Sequence, residues 1–132
     1  MIEKINLEGL LLAKVYRKNF EISDGISFDS DPNSSLQFGF MKRDRNYKVK
    51  PHIHKQSLRK ITDTQEILIV RRGEVICKFF IDDTSKFKEI TLNEGDILHV
   101  YSGGHSFLFS EESEIIEIKQ GPFLDVNEKF YL

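Results

Sequence analysis

The sequence predicts an all-β domain, a sandwich or barrel of short strands whose inner faces make one core. Three observations predict it. Eleven phenylalanines, four tyrosines and only three prolines form a strand-favouring composition. Short apolar or alternating runs recur, each bounded by turn formers. No stretch of twelve residues has convincing 3.6-residue periodicity, and QSLRKI at 56–61 holds at most one helical turn.

Taken in order, the first expected strand is GLLLAKVYR at 9–17, and the Asp24-Gly25 turn introduces the second, GISFDS at 25–30. SDPNSS at 30–35 reads as a solvated loop before LQFGFMKR at 36–43, and HIH at 52–54 follows. EILIVRR (66–72) and EVICKFFID (74–82) meet at Arg72-Gly73, and Asp82-Asp83 ends the second. KEITL (88–92) leads through Asn93-Glu94-Gly95-Asp96 into DILHVY (96–101), and Ser102-Gly103-Gly104 leads into HSFLFS (105–110). EESE (111–114) is a second solvated loop, and EIIEIKQ (114–120) closes the series at Gly121-Pro122. A length of 132 residues fits one core, no linker or repeat interrupts it, and residues 1–132 are expected to form a single domain.

The bulk numbers exclude several functions. Lys+Arg 19 against Asp+Glu 21 leaves no positive excess for phosphate neutralisation, so nucleic acid is not an expected partner. The opening MIEKINLEGLLLAKVYRK lacks the apolar core and cleavage site of a signal peptide, and no 18-residue apolar span occurs, so no membrane is expected. Cys77 is the only cysteine, which rules out an internal disulfide and suits a reducing compartment; a cytoplasmic location is expected.

Chemistry concentrates in two histidine pairs. In a strand, side chains two apart share a face, so His52 and His54 would project together. Glu66 shares its face with Leu68 and Val70, and an interior carboxylate there needs a partner, because an unpaired buried charge costs several kcal/mol. His105 follows Gly103-Gly104 and shares a face with Phe107 and Phe109. Histidines plus one carboxylate are a frequent donor set for Zn, Fe, Ni and Cu. The alternative is an exposed histidine pair in a strand.

The order His52-x-His54, Glu66, six residues to Gly73, then Gly95-Asp96 and YSGGH ending at His105 resembles the two sequence motifs of the cupin superfamily, over positions 51–107. The resemblance implies a double-stranded β-helix, the jelly-roll barrel of the cupins. It also makes His52, His54, Glu66 and His105 the candidate ligands of one divalent transition metal, Fe, Mn, Ni, Zn or Cu. Two departures stand out. Eleven residues separate His54 from Glu66 where the motif has three or four, so KQSLRKITDTQ would form a longer loop at the barrel mouth. Tyr101 occupies the motif's proline position, and His105 follows Gly103 by two residues where three are usual.

Other residues divide between structure and site. His99, on the opposite face from Leu98 and Val100, reads as structural or exposed, and Cys77 as a buried, inert thiol. Gly103-Gly104 precedes no helix, so it serves close packing and not phosphate binding. Arg59 in the enlarged loop is a candidate clamp for an anionic ligand, with Lys48, Lys50, Lys55 and Lys60 as further cations or ordinary loop residues. Tyr101 is a candidate to line the pocket; Phe38, Phe40, Phe107 and Phe109 are core by default.

PHIHK, TQEILIVRRGEV and IKQGPF are similar to small stand-alone cupins of bacterial carbohydrate and cell-surface polysaccharide biosynthesis. The expected function is metal-dependent catalysis, such as isomerisation or epimerisation, on a small polar or anionic metabolite, with sugar and nucleotide-sugar derivatives foremost. Two alternatives stay open: a non-catalytic sugar- or metal-binding module, and an iron-dependent dioxygenase. The apolar runs GLLLAKVYR and EKFYL are suited to cover a neighbour's sheet, and a homodimer is expected.

Overall fold

A computed structural model describes residues 2–125 and 129–132. Ten strands and no helix occur among the described residues: β1 (Ile2–Leu7), β2 (Leu10–Tyr16), β3 (Gly25–Phe28), β4 (Gly39–Lys42), β5 (Glu66–Arg72), β6 (Glu74–Phe80), β7 (Lys88–Asn93), β8 (Ile97–Val100), β9 (Gly104–Phe109) and β10 (Glu114–Lys119). No helix among these residues is long and apolar enough to cross a membrane. The chain divides into two compact units, one of residues 1–20 with 64–132 and the other of residues 21–63.

The larger unit holds two open antiparallel sheets, β1-β2-β8-β5-β10 and β7-β6-β9, neither closed into a barrel. Period-two alternation sends Leu68 and Val70 of β5, Leu98 and Val100 of β8, and Ala13 and Val15 of β2 into the same apolar cluster. Val75, Cys77 and Phe79 of β6 and Leu92 of β7 enter it from the second sheet. Both sheets thus bury one face in a shared core.

β1 is not among the expected runs. Its sequence IEKINL carries three apolar residues interrupted by charge, and the strand exists through its pairing with β2, from Ile2↔Tyr16 to Leu7↔Leu10. The turn between them is Glu8-Gly9 with φ of 50° and 80°; two positive values are what the tight I′ hairpin turn requires, and Gly9 adopts one without steric cost.

The Gly95-Asp96 turn is anchored from several sides. The Asp96 carboxylate is buried and accepts from Arg17 Nη1 at 2.8 Å, from the Lys18 N–H at 2.9 Å and from the Asn93 N–H at 2.9 Å. Arg17 also bonds Glu3 and donates to the Thr91 carbonyl at 2.7 Å. The turn backbone exchanges hydrogen bonds with Val70 at 3.0 and 2.7 Å, which ties β8 to β5 beyond their ladder.

In the smaller unit, β3 and β4 form a hairpin extended by Asp29 N–H to Phe38 O at 3.0 Å and Phe38 N–H to Ser30 Oγ at 2.9 Å. The expected strand at HIH is absent: residues 43–64 contain no strand, and every residue from 41 to 64 is exposed. The physical reason lies in the segment itself. Tyr47, Val49 and Ile53 alternate at strand spacing, but Pro51 on the same face lacks an N–H for a ladder, and all three apolar side chains stay exposed, so no burial holds the segment in a sheet.

Candidate functional site

Glu66 opens β5 on the face that continues into Leu68 and Val70, so the strand's alternation delivers a carboxylate to the end of the apolar core. It is 7% exposed. Across the sandwich, His105 stands second in β9, cross-strand to the buried Phe79 of β6. Its Nε2 lies 3.1 Å from Glu66 Oε2. That hydrogen bond is the main cause holding the Glu66 carboxyl below the usual carboxylate range, against burial, with the charges of His105, Lys119 and Lys129 adding to it. The His105 ring stacks on Phe107 with centroids 5.0 Å apart. Its Nδ1 is buried and has no hydrogen-bond partner among the described residues.

The glycine pair before His105 serves close packing. A Cβ at Gly104 would fall 2.4 Å from the Phe80 ring, and one at Gly103 would meet Leu12 and the Phe80 carbonyl at 2.8 Å. Only residues without side chains let β9 start hard against β6, and that start fixes the height of His105 beside Glu66.

The other two expected ligands lie in the smaller unit. His52 and His54 are exposed, their ring centroids 5.1 Å apart, and His52 Nδ1 lies 2.8 Å from the Lys50 carbonyl oxygen. The two rings meet edge to face, their planes 69° apart. His54 and Arg59 line one shallow concavity formed by consecutive residues of the loop. Among the described residues, no group of three or more His, Cys, Asp or Glu side chains is gathered as a metal would need.

Tyr101 stacks on His99, their ring centroids 4.0 Å apart, and Lys14 Nζ lies 5.6 Å from the Tyr101 centroid. His99 is fully buried, its Nε2 2.9 Å from Gln65 Oε1. Cys77 is fully buried in the core, and burial pushes its thiol up to about 12, which leaves it unreactive. Lys119 was not singled out by sequence. Its one signal is alternation, because Ile115, Glu117 and Lys119 share a face of β10.

No protein-family model, curated protein or solved structure matches the chain.

Proposed function

We propose that this chain is a metal-binding protein of the cupin type, its strands wound as a jelly roll, and that it is a metal-dependent enzyme acting on a small polar or anionic metabolite. The observation that carries the reading is the contact between buried Glu66 and half-buried His105 at the end of the sandwich core. Its donor chemistry fits a divalent transition metal, since a carboxylate oxygen and an imidazole nitrogen are both ordinary ligands. Its spacing fits as well: adjacent ligands each about 2.1 Å from one ion stand about 3.0–3.4 Å apart, and these two donors stand at 3.1 Å. The sequence resemblance adds His52 and His54 to the ligand set.

A metal held there supplies a Lewis acid for a carbonyl or carboxylate oxygen, or activates water or O₂. Glu66 and His105 would hold it through Oε2 and Nε2, and the apolar residues behind them keep bulk water from that side. Arg59 in the exposed loop is suited to bind an anionic group by its planar fork of donors. Sugar and nucleotide-sugar derivatives are the first substrates to screen. The reading includes a cytoplasmic homodimer. A single cysteine suits a reducing compartment, and Phe130, Tyr131 and Leu132 expose apolar surface of the kind a second copy covers, Glu128 of the same EKFYL run lying outside the described residues.

The test is metal analysis of untagged protein purified without added metal. About one metal per chain is expected, with loss in His54→Ala and His105→Ala; full occupancy in both variants would sink the ligand assignment. Turnover of a screening hit, abolished by chelation, marks the enzyme. Saturable binding without turnover marks a sugar- or metal-binding module instead.

A further inference from the structure

The chain's charge is unevenly placed, and the balance over the whole length hides it. Eight of its 19 Lys and Arg but only one of its 21 Asp and Glu, Asp44, fall within residues 42–60. That stretch therefore carries a net charge of +7 and the remainder −9, which together give the −2 of the chain. Every residue of the stretch is exposed, and beyond Lys42 it forms neither helix nor strand. Lys42 meets Asp24 at 3.3 Å, whereas Lys48, Lys50, Lys55 and Lys60 make no ion pair with a described residue. Like charges this dense repel one another, which opposes folding the stretch on itself and favours an anionic partner.

The apolar residues of the stretch are placed as unusually as its charge. Ile53 is 94% and Leu58 102% exposed, with Tyr47 and Val49 exposed as well. A turn closed by the Tyr47 N–H on the Asp44 carbonyl at 3.1 Å precedes an alternation of apolar and basic residues. Pro51 disfavours helical backbone at Lys50, and in an extended chain side chains two apart share a side. Tyr47, Val49, Pro51 and Ile53 then fall on one side, with Lys48 and Lys50 on the other. A backbone at the headgroup depth of a bilayer sends such apolar side chains down to the acyl boundary and keeps the ammonium groups among the headgroup anions. A nucleic acid would answer the cations but offers little to exposed Val, Ile and Leu side chains, since most of its contacts are polar.

We propose that residues 42–60 form a peripheral docking segment whose partner is an anionic lipid surface. Docking of this kind lies on the bilayer and needs no spanning element. The inference goes beyond the metal reading and is independent of it, because the lysines and aliphatic side chains that carry it are not ligands.

The experiment is co-sedimentation of the full-length protein with vesicles of phosphatidylcholine alone and with about 30% phosphatidylserine added. Binding is expected on the anionic vesicles only, and is lost at about 1 M salt, where the Debye length falls to about 3 Å. Lys48→Gln combined with Lys50→Gln should weaken it about 25-fold, at about fivefold per lysine. The control pair Lys86→Gln and Lys88→Gln, exposed positions outside the segment, should stay within about twofold of wild type. The chain has no tryptophan, so Ile53→Trp places a single reporter on the apolar side, and its emission should shift to the blue on the anionic vesicles. All five substituted positions are exposed, and unchanged circular dichroism confirms that the variants fold. Equal binding to both vesicles, binding to neither, or unchanged affinity in the Lys48 and Lys50 variant overturns the proposal. A reporter that keeps its water-exposed emission on the vesicles overturns it too, because charge alone would then account for the binding. Saturable binding of a single-stranded oligonucleotide with none to vesicles overturns the lipid surface and names nucleic acid as the partner.

Discussion

Truncating Asp96 tests how the Gly95-Asp96 turn is held. In Asp96→Ala, the N–H groups of Lys18 and Asn93 lose an acceptor, and Arg17 loses one of its two carboxylate partners while keeping Glu3 and the Thr91 carbonyl. Lys18 and Asn93 are exposed residues whose amides reach water in part, so each stranded donor counts at the low end, about 1 kcal/mol. Arg17 is only a quarter exposed, and losing a buried carboxylate costs it about 1–2 kcal/mol more. The total is about 3–4 kcal/mol, which for a chain of this size lowers Tm by about 10–15 °C. Asp96→Asn replaces one acceptor with a donor, facing Arg17 and the Asn93 N–H at the Oδ2 position or the Lys18 N–H at the Oδ1 position, and should cost about 2–3 kcal/mol. Urea denaturation followed by circular dichroism at neutral pH measures both. A loss below about 1 kcal/mol in Asp96→Ala would refute the reasoning and assign the turn to its backbone bonds with Val70.

In metal-free protein, the folded-state pKa of Glu66 lies below its unfolded value, so the unfolded state binds more protons as the solution is acidified. The stabilisation is therefore full above the unfolded value of about 4.3 and lost as the pH falls through the folded one. Urea midpoints across the acid range should fall less steeply in Glu66→Gln than in wild type, and an unchanged slope would count against the pair. Gly104→Ala drives a methyl into the Phe80 ring and should destabilise by about 1–3 kcal/mol, read by the same unfolding curves. Cys77, fully buried with its thiol raised to about 12, should resist a thiol reagent in the folded protein and react at once in denaturant. Rapid labelling under native conditions would contradict that placement.

Strands with a strong apolar alternation were legible in the sequence because their own residues decide them. EILIVRR and EVICKFF place Leu68, Val70, Val75, Cys77 and Phe79 in the core as period-two logic predicts. IEKINL was not legible, because its strand depends on a partner and on the Glu8-Gly9 turn more than on its own apolar content. HIH misled in the opposite direction, since two histidines flanking an isoleucine have strand spacing without a buried face to keep them in a sheet. At the site, Glu66 and His105 could be paired from sequence only through the motif resemblance. The 3.1 Å contact joins strands of different sheets, a relation that local pattern does not encode. Lys119 escaped notice for the same reason, as its meaning comes from its register opposite Glu66.

X-ray absorption spectroscopy of the metal carried by the purified protein tests the central claim most directly. The account predicts a shell of nitrogen and oxygen donors with at least two imidazoles, reduced by one imidazole in His105→Ala and by one oxygen donor in Glu66→Gln. A metal shell without imidazole, or one unchanged in both variants, would contradict it.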